Sequence, residues 1–191
     1  MKKIVFATNN AHKLQEVRAI LGPEWELTTL REAGITEEIP ENEPTIEGNA
    51  LAKARYVWER TGLDCFADDT GLEVDALGGA PGVHSARYAT DGHDFAANRA
   101  KLLAEMEGKS DRKARFLTVV ALIEGGVEHC FEGVVEGTIT TSEMGEGGFG
   151  YDPLFIPEGY TQTFAEIAPE EKNAISHRGR AIVKLAEWFR Q

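Results

Sequence analysis

The segment FLTVVALI, residues 116 to 123, constrains the fold most, because it is apolar except for Thr118 and is too short to form a core helix. Such a run is a strand buried on both faces, and Gly125-Gly126 directly after it predicts a hairpin with VEHCFEGVVEGTIT. A long hairpin of this kind needs helices or a second layer to cover it. The preceding sequence supplies them. Ile4-Val5-Phe6-Ala7 is a short buried strand ending in the polar turn Thr8-Asn9-Asn10. Leu14, Val17, Ile20 and Leu21 then share one helical face, which Gly22-Pro23 closes. Trp25 to Leu30 reads as a second strand.

Residues 31 to 46 are acidic and carry prolines at 40 and 44, so they read as a surface loop. A helix is expected from Ala50 to Arg60, with Leu51, Ala54 and Trp58 inward. CFADDTGLEVD, residues 65 to 75, starts as a core strand and continues with Leu72, Val74 and Ala76 in alternation. GGAPG is a tight turn. Asp94 caps a helix carrying Phe95, Leu102, Leu103 and Met106, and a last helix over His177 to Arg190 buries Ile182, Leu185, Ala186 and Phe189. The expectation is an α/β fold. It is a single domain over residues 1–191 with an elongated mixed sheet flanked by helices, in two lobes with an active-site cleft between them.

Composition narrows the function. A net charge of −12 excludes broad nucleic-acid binding, which needs a basic face. No apolar run is long enough to span a membrane, and MKKIVFATNN is too short in apolar residues for a signal peptide, so a cytoplasmic location is expected. The two cysteines, Cys65 and Cys130, read as reduced thiols. An acidic protein that handles phosphates needs a metal to join substrate to carboxylate.

Two phosphate motifs fail on context. Gly108-Lys109-Ser110 lacks the P-loop glycine, since Leu103 stands there. Gly145, Gly147 and Gly150 satisfy G-x-G-x-x-G, but Pro153 follows and no helix opens. Asp68-Asp69-Thr70 also suggests an aspartyl-phosphate enzyme, but those aspartates stand two apart and these are adjacent.

Other residues carry more. Thr8, Asn9, Asn10, Ala11, His12 and Lys13 join a strand to a helix start, where N–H groups and the helix dipole favour an anion. The adjacent Asp68 and Asp69 repel each other, so they mark either a solvated turn or a bound cation, and Glu41 with Asp69 could complete a Mg²⁺ site. Phe149, between glycines, either plugs into the core or offers its ring to a ligand, a choice the sequence leaves even. Lys172, His177 and Arg178 place donors at the start of the last helix.

Together, TNNAHKLQE, ENEPTIEGNALAKA, ADDTGLEVDALGGAPGVHSARYA, GGFGYDPLF and EEKNAISHRG resemble the inosine/xanthosine triphosphate pyrophosphatase family, from residue 4 to about 188. The resemblance implies a homodimer that hydrolyses deaminated purine nucleoside triphosphates (ITP, dITP, XTP) to monophosphate and pyrophosphate with Mg²⁺. It implies Thr8 to Lys13 as the triphosphate turn, and Glu41 and Asp69 as metal ligands, with Asp69 also the catalytic carboxylate. It further implies Thr70 and Lys53 as substrate contacts, Phe149, Gly150, Tyr151 and Asp152 as the base-stacking loop, and Lys172, His177 and Arg178 as the base-recognition set. Asp68 is expected to support the site as an outer ligand or as an acceptor for the turn. His12 and His84 depart from the family pattern, at positions that bear on substrate preference and not on the reaction. A pyrophosphatase for modified pyrimidines and a non-catalytic nucleotide sensor are the alternatives.

Overall fold

The computed structural model describes all of residues 1–191. The chain opens with β1 (Lys2–Phe6), α1 (Ala11–Leu21) and β2 (Trp25–Thr28), followed by α2 (Ile46–Thr61) and β3 (Cys65–Val74). β4 (Pro81–Gly82), α3 (Phe95–Met106), β5 (Lys113–Glu124), β6 (Val127–Ile139), β7 (Phe155–Pro157), α4 (Pro169–Ile175) and α5 (His177–Trp188) complete it. The sheet order is β2-β1-β3-β5-β6-β7, with β4 on β3. β1 pairs parallel with both β2 and β3, whereas β6–β7 and β3–β4 are antiparallel, so the sheet is mixed. The hairpin forms as expected: Gly125 and Gly126 have φ of 56° and 83°, which a two-residue primed turn requires.

The chain divides into two compact units. The first holds Met1–Asp69, Thr118–Gly133 and Arg178–Gln191, and the second Thr70–Leu117 and Val134–His177. The first unit's core gathers Ile4, Phe6, Val17, Leu27, Phe66, Val120, Leu122, Ala181, Ile182 and Leu185, with Phe6 and Phe66 stacked at 4.6 Å. The second unit's core centres on Phe116, Phe155 and Phe164, with Leu72, Val74, Leu102 and Met106 around them. No helix is long and apolar enough to cross a membrane.

Four local features differ from expectation. α2 begins at Ile46, four residues before Ala50, because Thr45 caps it by accepting from the Gly48 N–H. Its inward face is Ala50, Lys53, Ala54 and Val57, so Leu51 and Trp58 are only half-buried. Within the acidic loop, Ile35 and Ile39 are buried and pin it to the first unit. PEEKNAI forms a separate short helix, α4, ahead of α5. The caps at Asn10 and Asp94 stand as read.

Candidate active site

The β1–α1 turn uses much of its own polarity. Thr8 N–H donates to the Phe6 carbonyl, Asn10 N–H to Thr8 Oγ1, and His12 and Lys13 N–H both to Asn10 Oδ1. What it offers an anion is therefore the helix dipole and, above all, the Lys13 ammonium. Asn9, Ala11 and His12 are exposed.

β3 explains the paired aspartates. Cys65, Phe66 and Ala67 are fully buried, and the two-residue period of a strand sends Asp68 and Asp69 to opposite faces. Asp68 is 0% exposed, and its carboxylate accepts from Lys13 Nζ at 3.2 Å and Arg178 Nε at 3.1 Å. Its carbonyl accepts from Lys53 Nζ at 2.5 Å. Lys53 also bonds Glu41 Oε1 at 2.8 Å, and Arg178 Nη1 bonds Glu16 Oε2 at 2.6 Å. Three buried or half-buried cations thus meet four carboxylates, those of Glu16, Glu41, Asp68 and Asp69.

The charges within this group are held unequally. Burial raises the proton affinity of Asp68, but Lys13, Arg178 and Lys53 outweigh it and hold the carboxyl far below the usual range. Asp69 is the reverse. Burial pushes it up, Glu41 and Asp68 push the same way, and Lys53 and Lys13 offset only part. Burial favours the neutral form of Lys53, yet Glu41, Asp69 and Asp68 together hold it more firmly protonated than a free lysine. Lys13 goes down, through burial and the nearby Lys53 and Arg178, against the pull of Asp68.

Asp69 Oδ2 is buried and accepts no hydrogen bond. An uncompensated carboxylate oxygen at a charged centre fits a hard cation that would complete it. Glu41 and Asp69 are the oxygen donors that could hold one. No group of three or more histidine, cysteine, aspartate or glutamate residues gathers as a metal cage. Mg²⁺, which keeps waters and takes one or two carboxylates plus phosphate oxygens, would suit the Glu41 and Asp69 donors.

The second unit holds the aromatic residues singled out in the sequence. Asp152 is buried, accepts from the Phe149 N–H at 3.0 Å and binds Lys172 Nζ at 2.6 Å. Lys172 lies 5.1 Å from the Phe149 ring centroid, a cation–π contact. A Cβ on Gly148 would stand 2.2 Å from Asp152 Oδ2, so glycine is what lets this carboxylate turn back onto the loop. Phe149 is half-buried and Tyr151 is buried, with its hydroxyl donating to the Ser85 carbonyl at 2.6 Å. His177 is stacked on Phe116 at 4.5 Å, and Thr70 is half-buried at the first residue of this unit.

The residues singled out in the sequence therefore fall into two groups. Lys13, Glu41, Lys53 and Asp69 come together in the first unit, and Phe149, Asp152 and Lys172 in the second. Arg178 is tied to Asp68 and Glu16 in the first unit, and Lys172 and His177 fall in the second. Glu16 was missed, although its spacing of three from Lys13 places it on the same helical face. Asp68 is an acceptor for side chains from distant segments, not for its own turn.

The fold and this charge cluster define an open mixed-sheet α/β protein with a cation-rich carboxylate centre. A sequence model of the Ham1 family matches residues 4–188. A dITP/XTP pyrophosphatase from Porphyromonas gingivalis is 54% identical, covering 99% of this chain and 98% of that protein. One from Flavobacterium psychrophilum is 48% identical, covering 98% and 99%. A solved HAM1 protein from Coxiella burnetii superposes with a TM-score of 0.90 at 40% identity, covering 100% and 99%. The Ham1 protein of Staphylococcus aureus gives 0.89 at 36%, covering 99% and 98%. The chain belongs to the Ham1 family.

Proposed function

We propose that this chain hydrolyses deaminated purine nucleoside triphosphates, such as ITP, dITP and XTP, to the nucleoside monophosphate and pyrophosphate, clearing them from the nucleotide pool. The names of relatives 46–54% identical to this chain support this reading. The observation that carries it is Asp69, a half-buried carboxylate whose Oδ2 is buried and unpartnered, beside Glu41, Lys53 and Lys13. The proposal includes dependence on Mg²⁺, held by Glu41 and Asp69, and a homodimer in the cytoplasm.

Water attacks the α-phosphorus, the bond from that phosphorus to the bridging oxygen breaks, and pyrophosphate leaves with the electron pair. Charge grows on the equatorial oxygens and on the leaving group, and the Lys13 and Lys53 ammonium groups are the protein's means of offsetting it. Asp69 orients the water or takes its proton; burial raises its basicity, and a cation held at the same carboxylate would lower it again. A Mg²⁺ held by Glu41 and Asp69 would add neutralisation of phosphate charge. Asp68 reacts with nothing. It keeps Lys13 and Arg178 in place.

Discrimination falls to Phe149 and the recognition set. Phe149 offers a stacking face, with Lys172 fixed beside it by Asp152. A 6-keto oxygen accepts a hydrogen bond from a donor of the recognition set, His177, Lys172 or Arg178. A 6-amino group leaves that donor unmatched, at a cost of about 1–3 kcal/mol per group. Asp69→Asn tests the assignment. The variant keeps its melting temperature and binds ITP, but forms no pyrophosphate. Release of single orthophosphates by the wild type would sink the reading.

A further inference from the structure

The loop carrying Phe149 is poorly suited to holding an aromatic ring by itself. Gly145, Gly148 and Gly150 have φ of 92°, 65° and 61°, and glycine backbone lowers the cost of leaving any one conformation. α3 counteracts this. Arg99 spans the loop, its Nε bonded to the Glu143 carboxylate at one end and its Nη1 donating to the Gly150 carbonyl at the other, at 3.0 Å. One turn earlier on the same helix face, the Phe95 ring lies against Phe149, with centroids 6.1 Å apart and planes at 49°. A guanidinium presents several donors in a fixed fork, so one side chain ties both ends; an ammonium on a flexible stem does not reproduce this.

We propose that Arg99 and Phe95 are positioning residues that set the Phe149 ring for the purine base, and so govern base affinity while leaving phosphate chemistry alone. The inference rests on Phe149 as the base-stacking residue. Neither side chain need touch the nucleotide. Arg99 acts by closing the loop and Phe95 by giving Phe149 one face to rest on. Both fall outside the motifs that carry the family resemblance, being helix positions that read in sequence as a surface arginine and a core phenylalanine.

The test compares a ligand with a base and one without. Inosine monophosphate and tripolyphosphate are titrated into wild type, Arg99→Ala, Arg99→Lys and Phe95→Ala, with kcat and KM for ITP measured alongside. The Arg99 side chain is 19% exposed on a helix, so its variants are expected to fold, and a thermal melt checks this. Arg99→Ala should weaken inosine monophosphate about fivefold and raise the KM for ITP similarly, the effect of losing one charge-assisted hydrogen bond. Its kcat and tripolyphosphate affinity should stay within twofold of wild type, and Arg99→Lys should fall between the two. A general structural role would move both ligands together and overturn the proposal, as would unchanged inosine monophosphate affinity in Arg99→Ala and Phe95→Ala. If Phe149→Ala itself leaves inosine monophosphate affinity unchanged, the stacking reading fails first and takes this proposal with it.

Discussion

Replacing Asp68 by alanine removes the single carboxylate that holds two cations from distant parts of the first unit. Asp68 is 0% exposed, and Arg178, at 3.1 Å, is almost equally buried. Breaking one partner of a buried ion pair costs about 3–5 kcal/mol, because the remaining charge is left in a poor medium. Two features hold the cost to the lower end. Arg178 retains Glu16 at 2.6 Å, and the Lys13 side chain, 15% exposed, can turn toward water. A loss of about 3 kcal/mol in a domain of this size lowers the melting temperature by roughly 6–12 °C. Asp68→Asn keeps an acceptor and loses only the charge, so it should cost about half as much. Asp69→Asn is the control: its carboxylate is desolvated and its Oδ2 unpartnered, so amidation should leave the melting temperature unchanged or slightly raised. The sign of the pH dependence follows from the lowered pKa of Asp68. Its contribution is complete above the unfolded carboxylate range, about pH 4, and is lost only as pH falls further. The gap between wild type and Asp68→Ala should thus be equal at pH 6 and 8 and close in acid. Scanning fluorimetry with urea titration measures it. A shift below 2 °C for Asp68→Ala, or an equal loss for Asp69→Asn, would refute the division between the aspartates.

Gly148→Ala should force Asp152 off Lys172 and the Phe149 N–H, costing about 2–3 kcal/mol in a chemical melt and weakening inosine monophosphate binding. Lys53→Gln should raise Mn²⁺ affinity measured calorimetrically without nucleotide, since Lys53 is the cation now serving Glu41 and neighbouring Asp69, while lowering tripolyphosphate affinity. Burial pushes the Cys65 thiol up to about 12, so the folded state withholds a proton that the unfolded chain releases. Stability should therefore fall above about pH 8.5, by at most about 1.4 kcal/mol per pH unit, and Cys65→Ala should flatten that alkaline limb.

Much of the fold was legible because its signals are local. The FLTVVALI run, the Gly125-Gly126 turn and the caps at Asn10 and Asp94 each specify their element within a few residues. The start of α2 was not, because Pro44 and the acidic run before it mask the Thr45 cap. The centre of the site is legible only in part. Lys53 is singled out only by the family resemblance, not by the period of its helix; its burial is set by Glu41 and the Asp68 carbonyl, which no local period encodes. Asp68 and Arg178 stand 110 residues apart, so their pairing depends on β3 and α5 converging in the first unit. Adjacent aspartates announced a charged centre, yet only the strand's alternation separates a structural carboxylate from a reactive one.

One carboxylate centre is proposed to cleave triphosphates whose purine carries a 6-keto group and no 2-amino group. Pyrophosphate release from ITP, XTP, dITP, ATP and GTP, with Mg²⁺ and with chelator, tests it most directly. Expected are pyrophosphate as the inorganic product, loss of turnover with chelator, and kcat/KM for ITP and XTP up to about a hundredfold above ATP, the upper end of what one unmatched donor costs. Equal turnover of ATP and ITP, or orthophosphate as the product, would contradict it.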